Sequence, residues 1–384
     1  MAQPQNRDNG QRPVEKVLIV GAGIAGTTLA IGLQRAGIST DIVELHDQVL
    51  GVGIVLTGNT MRAVQHLDLL DSCVEQGYAA ETWRVFTSAG DFVLDVPVPK
   101  AAGPNYPASI GLERPALAKI LRTAAQSAGA RLRTGLTVET LIDRGATVDV
   151  TFTDKTSGTY DLVVGADGAF STVRRLIFGD KILPAYAGQS CWRWQTKRHP
   201  AVDRPMFFHG HLKMGFIPLS ETTMYLLLNQ NVTSKIKPDP SSLVSGLQHL
   251  LKEFSAKTVV EACSAMKPDS VINYRPFETM MVPSPWYVGR TLIVGDAAHS
   301  VTPHLGNGGG IAIEDAIVLS DLLAERQPIE PTLAKFMQRR FQRCKLVHDN
   351  SYRICQLEIV GGEVNEKEIY RITGETFEAL LAPI

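Results

Sequence analysis

The sequence predicts an α/β fold with an inserted antiparallel-sheet domain and C-terminal helices, and three observations carry that reading. Short apolar runs at residues 16–20, 161–165 and 290–294 each end in a turn bearing Gly or Asp, as buried strands of an α/β sheet do. The stretch 186–230 breaks instead into several short β-rich segments with turns between them, which suits an antiparallel sheet. Beyond Pro331 the pattern is amphipathic and helical.

The run at 16–20 leads into Gly21-Ala22-Gly23-Ile24-Ala25-Gly26 and an apolar helix expected over 27–36. In this spacing Gly21 permits the tight turn, Gly23 lets the backbone approach a pyrophosphate, and Gly26 lets helix and strand pack closely. The N–H groups and positive end of the helix then face the phosphates. A second strand, 40–45, carries Glu44, 18 residues after Gly26, near where a carboxylate meets the ribose hydroxyls of an adenine dinucleotide. Strand, glycines, helix, strand and acid together make a Rossmann-like dinucleotide-binding unit. The motif by itself leaves NAD and FAD open.

A Gly-bearing segment, 51–56, follows with Gly53 in it, then an amphipathic helix ending near Leu70 and capped by Asn59 or Thr60. Segments 83–86 and 92–96 form a hairpin, and 97–107 is a Pro-rich connection. Pro115, just after Arg114, starts a helix that runs to about Ala128. Strands at 138–142 and 148–152 precede the run at 161–168 and a helix around 171–177. Four strands, 189–195, 205–209, 215–219 and 223–229, form one wall of a cavity, and 240–265 holds one or two helices. After the strand at 290–294 the chain passes Pro303 and Gly306-Asn307-Gly308 into an apolar helix over 311–323. Arg339, Arg340 and Arg343 read as a solvated helix face. The expected division is a discontinuous nucleotide domain (14–72, 100–179, 276–331), a substrate domain (73–99, 180–275) and a C-terminal helical segment (332–384).

With 384 residues, 44% hydrophobic and 20% charged, the composition is that of a soluble globular protein of two or three domains. A formal net charge of −1 argues against nucleic acid or anionic membrane as the main partner. No apolar run approaches the roughly 20 residues of a membrane span, and residues 1–13 read as a polar tail, not a signal peptide. Five scattered cysteines make neither a disulfide framework nor a zinc site, so no metal is expected and a reducing cytoplasm fits.

Three strand ends far apart in sequence can converge on one long cofactor, because open α/β sheets bind ligands at the carboxyl ends of their strands. The motifs at those ends are Gly21 to Gly26 with Glu44, Gly165-Ala-Asp-Gly-Ala-Phe-Ser-Thr-Val-Arg174, and Gly295-Asp-Ala-Ala-His-Ser-Val-Thr-Pro303. In this order the chain resembles the single-component, aromatic-hydroxylase-like (class A) flavoprotein monooxygenases over about residues 14–350. The resemblance implies a Rossmann-like FAD-binding domain and a site made of Gly21, Gly23, Ala25, Gly26, Glu44, Leu45, Gly53, Arg114, Asp167, Asp296, Pro303, Gly306, Asn307 and Gly308. In it Asp296 bonds the ribityl hydroxyls, Arg114 reaches the phosphate or ribityl region, and Asp167 shapes the pyrophosphate and nicotinamide approach. The backbone around Gly306 to Gly308 faces the pyrimidine end of the ring. Asn307 stands where relatives often have Gln, and Leu45 and His46 follow Glu44 where they often have Arg or Lys.

The resemblance further implies that NADH or NADPH binds transiently to reduce FAD. Reduced FAD and molecular oxygen then hydroxylate a small aromatic or N-heteroaromatic substrate through a flavin hydroperoxide, in a monomer or homodimer. Trp192, Trp194, Phe207, Phe208, Met214, Phe216 and Met224 either line the substrate cavity or pack a core. On the strand, Trp192 and Trp194 share one face, and Cys191, Arg193 and Gln195 the other. Arg193 either binds a substrate carboxylate or pairs with a surface acid. His209, His211 and Tyr225 are candidates for removing a substrate proton, and His299 for shaping the flavin turn. The other readings are a flavin dehydrogenase or reductase without oxygen insertion, a flavin-dependent halogenase, and a non-enzymatic FAD-binding protein. The Ile-Pro of the halogenase Trp-x-Trp motif is missing, since Gln195-Thr196-Lys197 follow.

Overall fold

A computed structural model describes residues 13–48 and 51–384; the tail expected over 1–13 lies almost wholly outside the described residues. The chain opens with β1 (Lys16–Val20), α1 (Ile24–Arg35) and β2 (Ser39–Glu44), then β3 (Gly53–Leu56), α2 (Gly58–His66), α3 (Leu70–Gln76) and β4 (Tyr78–Ala80). A hairpin of β5 (Thr82–Thr87) and β6 (Phe92–Pro97) precedes β7 (Ser109–Glu113) and α4 (Arg114–Ser127). Next come β8 (Arg131–Thr134), β9 (Val138–Asp143), β10 (Val148–Phe152), β11 (Ser157–Tyr160), β12 (Leu162–Gly165) and α5 (Thr172–Phe178). The long strand β13 (Ala185–Lys197) is followed by β14 (Met206–His209), β15 (Lys213–Pro218) and β16 (Thr223–Asn231). Then come α6 (Leu243–Leu251), α7 (Lys257–Cys263) and β17 (Ile272–Thr279). The last part holds β18 (Tyr287–Val288), β19 (Thr291–Ile293), α8 (Asp296–His299), α9 (Gly308–Ala324), α10 (Ile329–Val360) and α11 (Glu363–Ala379).

One sheet has the order β18-β19-β12-β1-β2-β8, parallel except where β18 meets β19. Its three central strands β19, β12 and β1 are those read from the apolar runs, and covering on both faces explains why they do not alternate. Val17 to Val20 are at most 1% exposed; each such side chain contributes about 1.5–3 kcal/mol on burial. The second large sheet has the order β17-β13-β16-β15-β14-β5-β6, so the early hairpin joins the later strands. It is antiparallel except that β5 pairs with β14 in parallel, with Met206 opposite Arg84. The far face of this sheet packs on α6 and α7 to make a core of its own.

The structure departs from expectation in several places. Helix α1 begins at Ile24, three residues early, because Gly23 already holds the extended N-cap position and Gly26 lies within the helix. Thr57 takes the N-cap place of α2, while Asn59 and Thr60 are buried inside the helix. Residues Arg340 and Arg343 are not a solvated face: Arg340 has 0% side-chain exposure and Arg343 11%. Periodicity along α10 shows one polar stripe but not that α9 covers it. Trp192, Trp194, Phe208, Met214, Phe216 and Met224 all belong to the core against α6 and α7.

Candidate active site

The carboxyl ends of β1, β12 and β19 meet at one side of a cavity of about 370 Å³. Gly23, Ala25, Gly53, Arg114, Gly168, Asp296, Pro303, Gly306 and Gly308 line it from the nucleotide side. Cys191, Arg193, Phe207, Lys213, Tyr225 and Asn229 line it from the second sheet. The Cys191/Arg193 face of β13 is therefore the one turned to the cavity.

The three glycines of the first motif differ in what they permit. Gly21 has φ +108°, and a Cβ there would lie 2.3 Å from the carbonyl oxygen of Ala166. A Cβ on Gly26 would lie 1.9 Å from the Gly21 carbonyl oxygen. Neither residue lines the cavity; Gly21 lets the turn after β1 close on the turn after β12, and Gly26 lets α1 close on β1. Gly23 has nothing within 4 Å of such a Cβ and opens on the cavity. This is the cradle that a pyrophosphate needs, beside the free N–H groups at the start of α1. Glu44 accepts from the Ala22 N–H at 2.7 Å and the His46 N–H at 2.9 Å, so its carboxylate stands at the same turn. Leu45 points outward, 50% exposed.

Arg114 opens α4, and its amide bonds Val52 at 3.1 Å. A Cβ on Gly51 would meet its side chain at 2.6 Å, so Gly51 leaves the arginine room beside the cavity. Among the described residues no carboxylate pairs with Arg114 or with Arg193. Asp296 is exposed while its neighbours are buried, and it reaches the cavity from α8. Gly306, with φ +63°, turns the chain so that Gly308 starts α9 at the cavity wall. An exposed carboxylate, an uncompensated arginine, an open glycine turn and a helix start fit an adenine-flavin dinucleotide.

Besides Gly21, Gly26, Glu44 and Leu45, Asp167 and Asn307 of the expected set lie outside the wall. Asp167 accepts from Ser171 Oγ at 2.5 Å and from the N–H groups of Thr172 and Val173 at 2.7 and 3.1 Å. Its carboxylate caps α5, while its neighbours Ala166 and Gly168 face the cavity. Asn307 is 1% exposed and its amide donates to Thr57 Oγ1 at 3.3 Å, so this shorter side chain turns toward α2.

On the sheet side, Tyr225 packs its ring where a Cβ on Gly53 would come within 2.6 Å. Burial pushes its phenol up to about 12, so at neutral pH it is a hydrogen-bond donor and not a base. Arg193 lies against Tyr225 and Cys191. His209 and His211 do not reach this cavity; both line a second one of about 250 Å³. Burial and then Lys213 push the His209 imidazole down to about 4, and its ring lies parallel to Tyr370, with Nδ1 3.4 Å from the hydroxyl. Between the cavities stand Lys213 and Asn229, which line both. Both bond Glu358 of α10, which also meets His304 Nε2 at 3.3 Å. Burial opposes the charge on Glu358, but Lys213 and His304 hold its carboxyl well below the usual range.

Residues 15–328 match the family model described as an FAD binding domain. The chain is 31% identical over 350 residues to the 2-heptyl-3-hydroxy-4(1H)-quinolone synthase of Pseudomonas aeruginosa, with 89% of each chain covered. The chain belongs to the class A FAD-dependent monooxygenases. Its cofactor is FAD. The monooxygenase is also 28% identical over 347 residues to the aurachin C monooxygenase/isomerase of Stigmatella aurantiaca, with 89% of each covered. In fold it is similar to Klebsiella pneumoniae HpxO complexed with FAD and uric acid, with a TM-score of 0.85, 22% identity and coverage of 95% and 96%.

The sequence reading missed the charge cluster behind the flavin motif of this monooxygenase. Asp315 Oδ2 accepts from the Gly295 N–H at 3.0 Å and lies 2.5 Å from His299 Nε2, while Arg340 Nε bonds Oδ1 at 2.8 Å. Glu314 meets Arg340 at 3.0 Å, Arg343 at 2.8 and 2.9 Å, and Asn59 at 3.1 Å. The signal was present: Glu314 and Asp315 are two acids inside a helix with no polar face.

Proposed function

We propose that this monooxygenase hydroxylates a small aromatic or N-heteroaromatic compound that carries an acidic or strongly polarised oxygen, held by Arg193 and Tyr225. The observation that carries the proposal is the uncompensated Arg193 guanidinium on the cavity wall beside a neutral phenol donor. Lys213 adds no such charge, because Glu358 neutralises it. Phe207, Ile217 and Leu227 supply an apolar surround that keeps water from the reacting region. The quinolone synthase named above and HpxO with its uric acid support a heteroaromatic ring with polarised oxygens.

FAD, reduced by NADH or NADPH, supplies the activation of oxygen. Glycine turns, Arg114 and Asp296 hold it in this reading, and the positive end of α9 at Gly308 stabilises negative charge at the ring. Arg193 and Tyr225 orient the substrate. His209 and His211 have no part in it, since both sit in the other cavity. A reducing, cytoplasmic setting suits the five free cysteines.

The test is NAD(P)H oxidation and oxygen uptake with quinolones, urate, pyridine carboxylates and plain phenols, with product masses. A product gaining one oxygen atom is expected from the acidic compounds. Flavin reduction that runs equally well into an organic acceptor and never yields such a product would favour a dehydrogenase. Arg193→Gln is expected to raise KM for the acidic substrate about 10- to 100-fold. A charge-assisted bond contributes about 1.5–3 kcal/mol, and about 1.4 kcal/mol is tenfold. Unchanged KM would show that Arg193 does not hold the substrate.

A further inference from the structure

We propose that Asp315 and His299 are a positioning pair that sets the Asp296 turn in register with the start of α9, so that the FAD site exists before FAD arrives. Gly295 sits at φ +60°, ψ −142°, a conformation that side chains disfavour. The two ends of the turn are stitched to one carboxylate. Asp315 Oδ2 takes the Gly295 N–H at 3.0 Å and meets His299 Nε2 at 2.5 Å. The Gly295 carbonyl in turn accepts from the His299 N–H at 2.8 Å. Asp296 lies between these anchors, and Asp315 stands on the same helix as Gly308. Arg174 and the Val282 N–H also bond the turn, at Ala297 and Ala298, but Asp315 is the side chain that ties both its ends to the helix that starts at 308.

Simple cohesion does not account for the pair. Arg340 and Arg343 already tie α10 to α9 through Glu314. Apolar residues would join those helices as well, since a buried ion pair seldom stabilises more than a packed apolar substitute. What His299 and Asp315 add is the hold on the turn. Through Nε2 the imidazole is committed to Asp315, and among the described residues its buried Nδ1 accepts or donates no hydrogen bond within normal geometry. Burial works against charge on the imidazole, but Cys344 and Asp315 raise its pKa well above the ordinary value, which strengthens the grip.

The experiment compares His299→Gln, Asp315→Asn and Asp315→Ala as apoproteins. It measures melting temperature, the FAD dissociation constant by flavin fluorescence quenching, and the visible spectrum of bound flavin. His299→Gln leaves the Arg340 ion pairs intact and is expected to fold, with an FAD dissociation constant at least about tenfold higher and a spectrum moved toward free FAD. Asp315→Asn keeps an acceptor for the Gly295 N–H and is expected to retain more affinity than Asp315→Ala. Wild-type affinity and spectrum in His299→Gln would overturn the proposal, whatever its melting temperature. So would equal loss of affinity in the two Asp315 variants.

Discussion

Arg340→Ala is expected to cost the fold about 3–5 kcal/mol, because it removes a buried cation shared by two buried acids and leaves Asp315 Oδ1 without its charged partner. Arg340 has 0% side-chain exposure and bonds Asp315 at 2.8 Å, Glu314 at 3.0 Å and the Ile311 carbonyl at 3.1 Å. Glu314 keeps Arg343 and Asn59 as partners in the variant, so the deficit falls on Asp315. Urea unfolding checks this: the midpoint should fall with the slope unchanged. A loss under about 1 kcal/mol would mean that the cluster is not sealed from water. The pH dependence carries a sign. Burial opposes the charge on Asp315, but His299 and Arg340 bring its folded pKa below the unfolded value of 3.8. The stabilisation is then complete above that value and is lost as pH falls toward the lower folded one. The gap between wild type and Arg340→Ala should narrow in acid.

Gly23→Ala is expected to keep the fold and lose FAD, whereas Gly26→Ala is expected to lose both. At Gly23 the backbone is extended, with φ −77° and ψ −168°, which any residue adopts, and a Cβ would touch nothing. Neither conformation nor packing requires glycine there, which leaves the ligand as the reason. A methyl group on that turn keeps a pyrophosphate from the N–H groups at the start of α1. Losing one or two such bonds, at about 1.5–3 kcal/mol each, weakens FAD by at least about tenfold. At Gly26 the methyl would lie 1.9 Å from a backbone oxygen and 3.0 Å from Ile19, and no rotamer relieves it. The cost there exceeds the roughly 1–3 kcal/mol usual for overpacking. Apoprotein melting and FAD titration separate the two. A normal melting temperature in Gly26→Ala, or unchanged FAD affinity in Gly23→Ala, would contradict the roles given to these glycines.

The parts of the site that were legible in sequence are those in which the backbone does the work. Glycine turns after apolar strands have few alternatives, so Gly23 could be read from spacing, while Gly53, Asp296 and Gly308 came from the family resemblance and line the same cavity. Faces were harder. Strand alternation puts Arg193 and Trp192 on opposite sides without saying which side meets the cavity, and only the placing of α6 and α7 decides it. His209 lies on the right sheet but beyond Lys213 and Glu358, a partition assembled from a strand and from a helix about 145 residues later. Arg340 looked solvated because sequence shows the polarity of a residue but not the acids that another helix brings to it. Asn307 sits in a recognised loop, yet its short amide turns to Thr57.

The strand order β18-β19-β12-β1-β2-β8 bears on how the protein is made. The strand with the glycine turn leaves the ribosome early, but its neighbour β12 follows 145 residues later and β19 later still. The cavity wall itself draws on residues from Gly23 to Ala312. A nascent chain therefore has no complete flavin site until the segment from Gly23 through Ala312 has been translated. FAD capture is a late event in biogenesis, and early-terminated chains should emerge colourless.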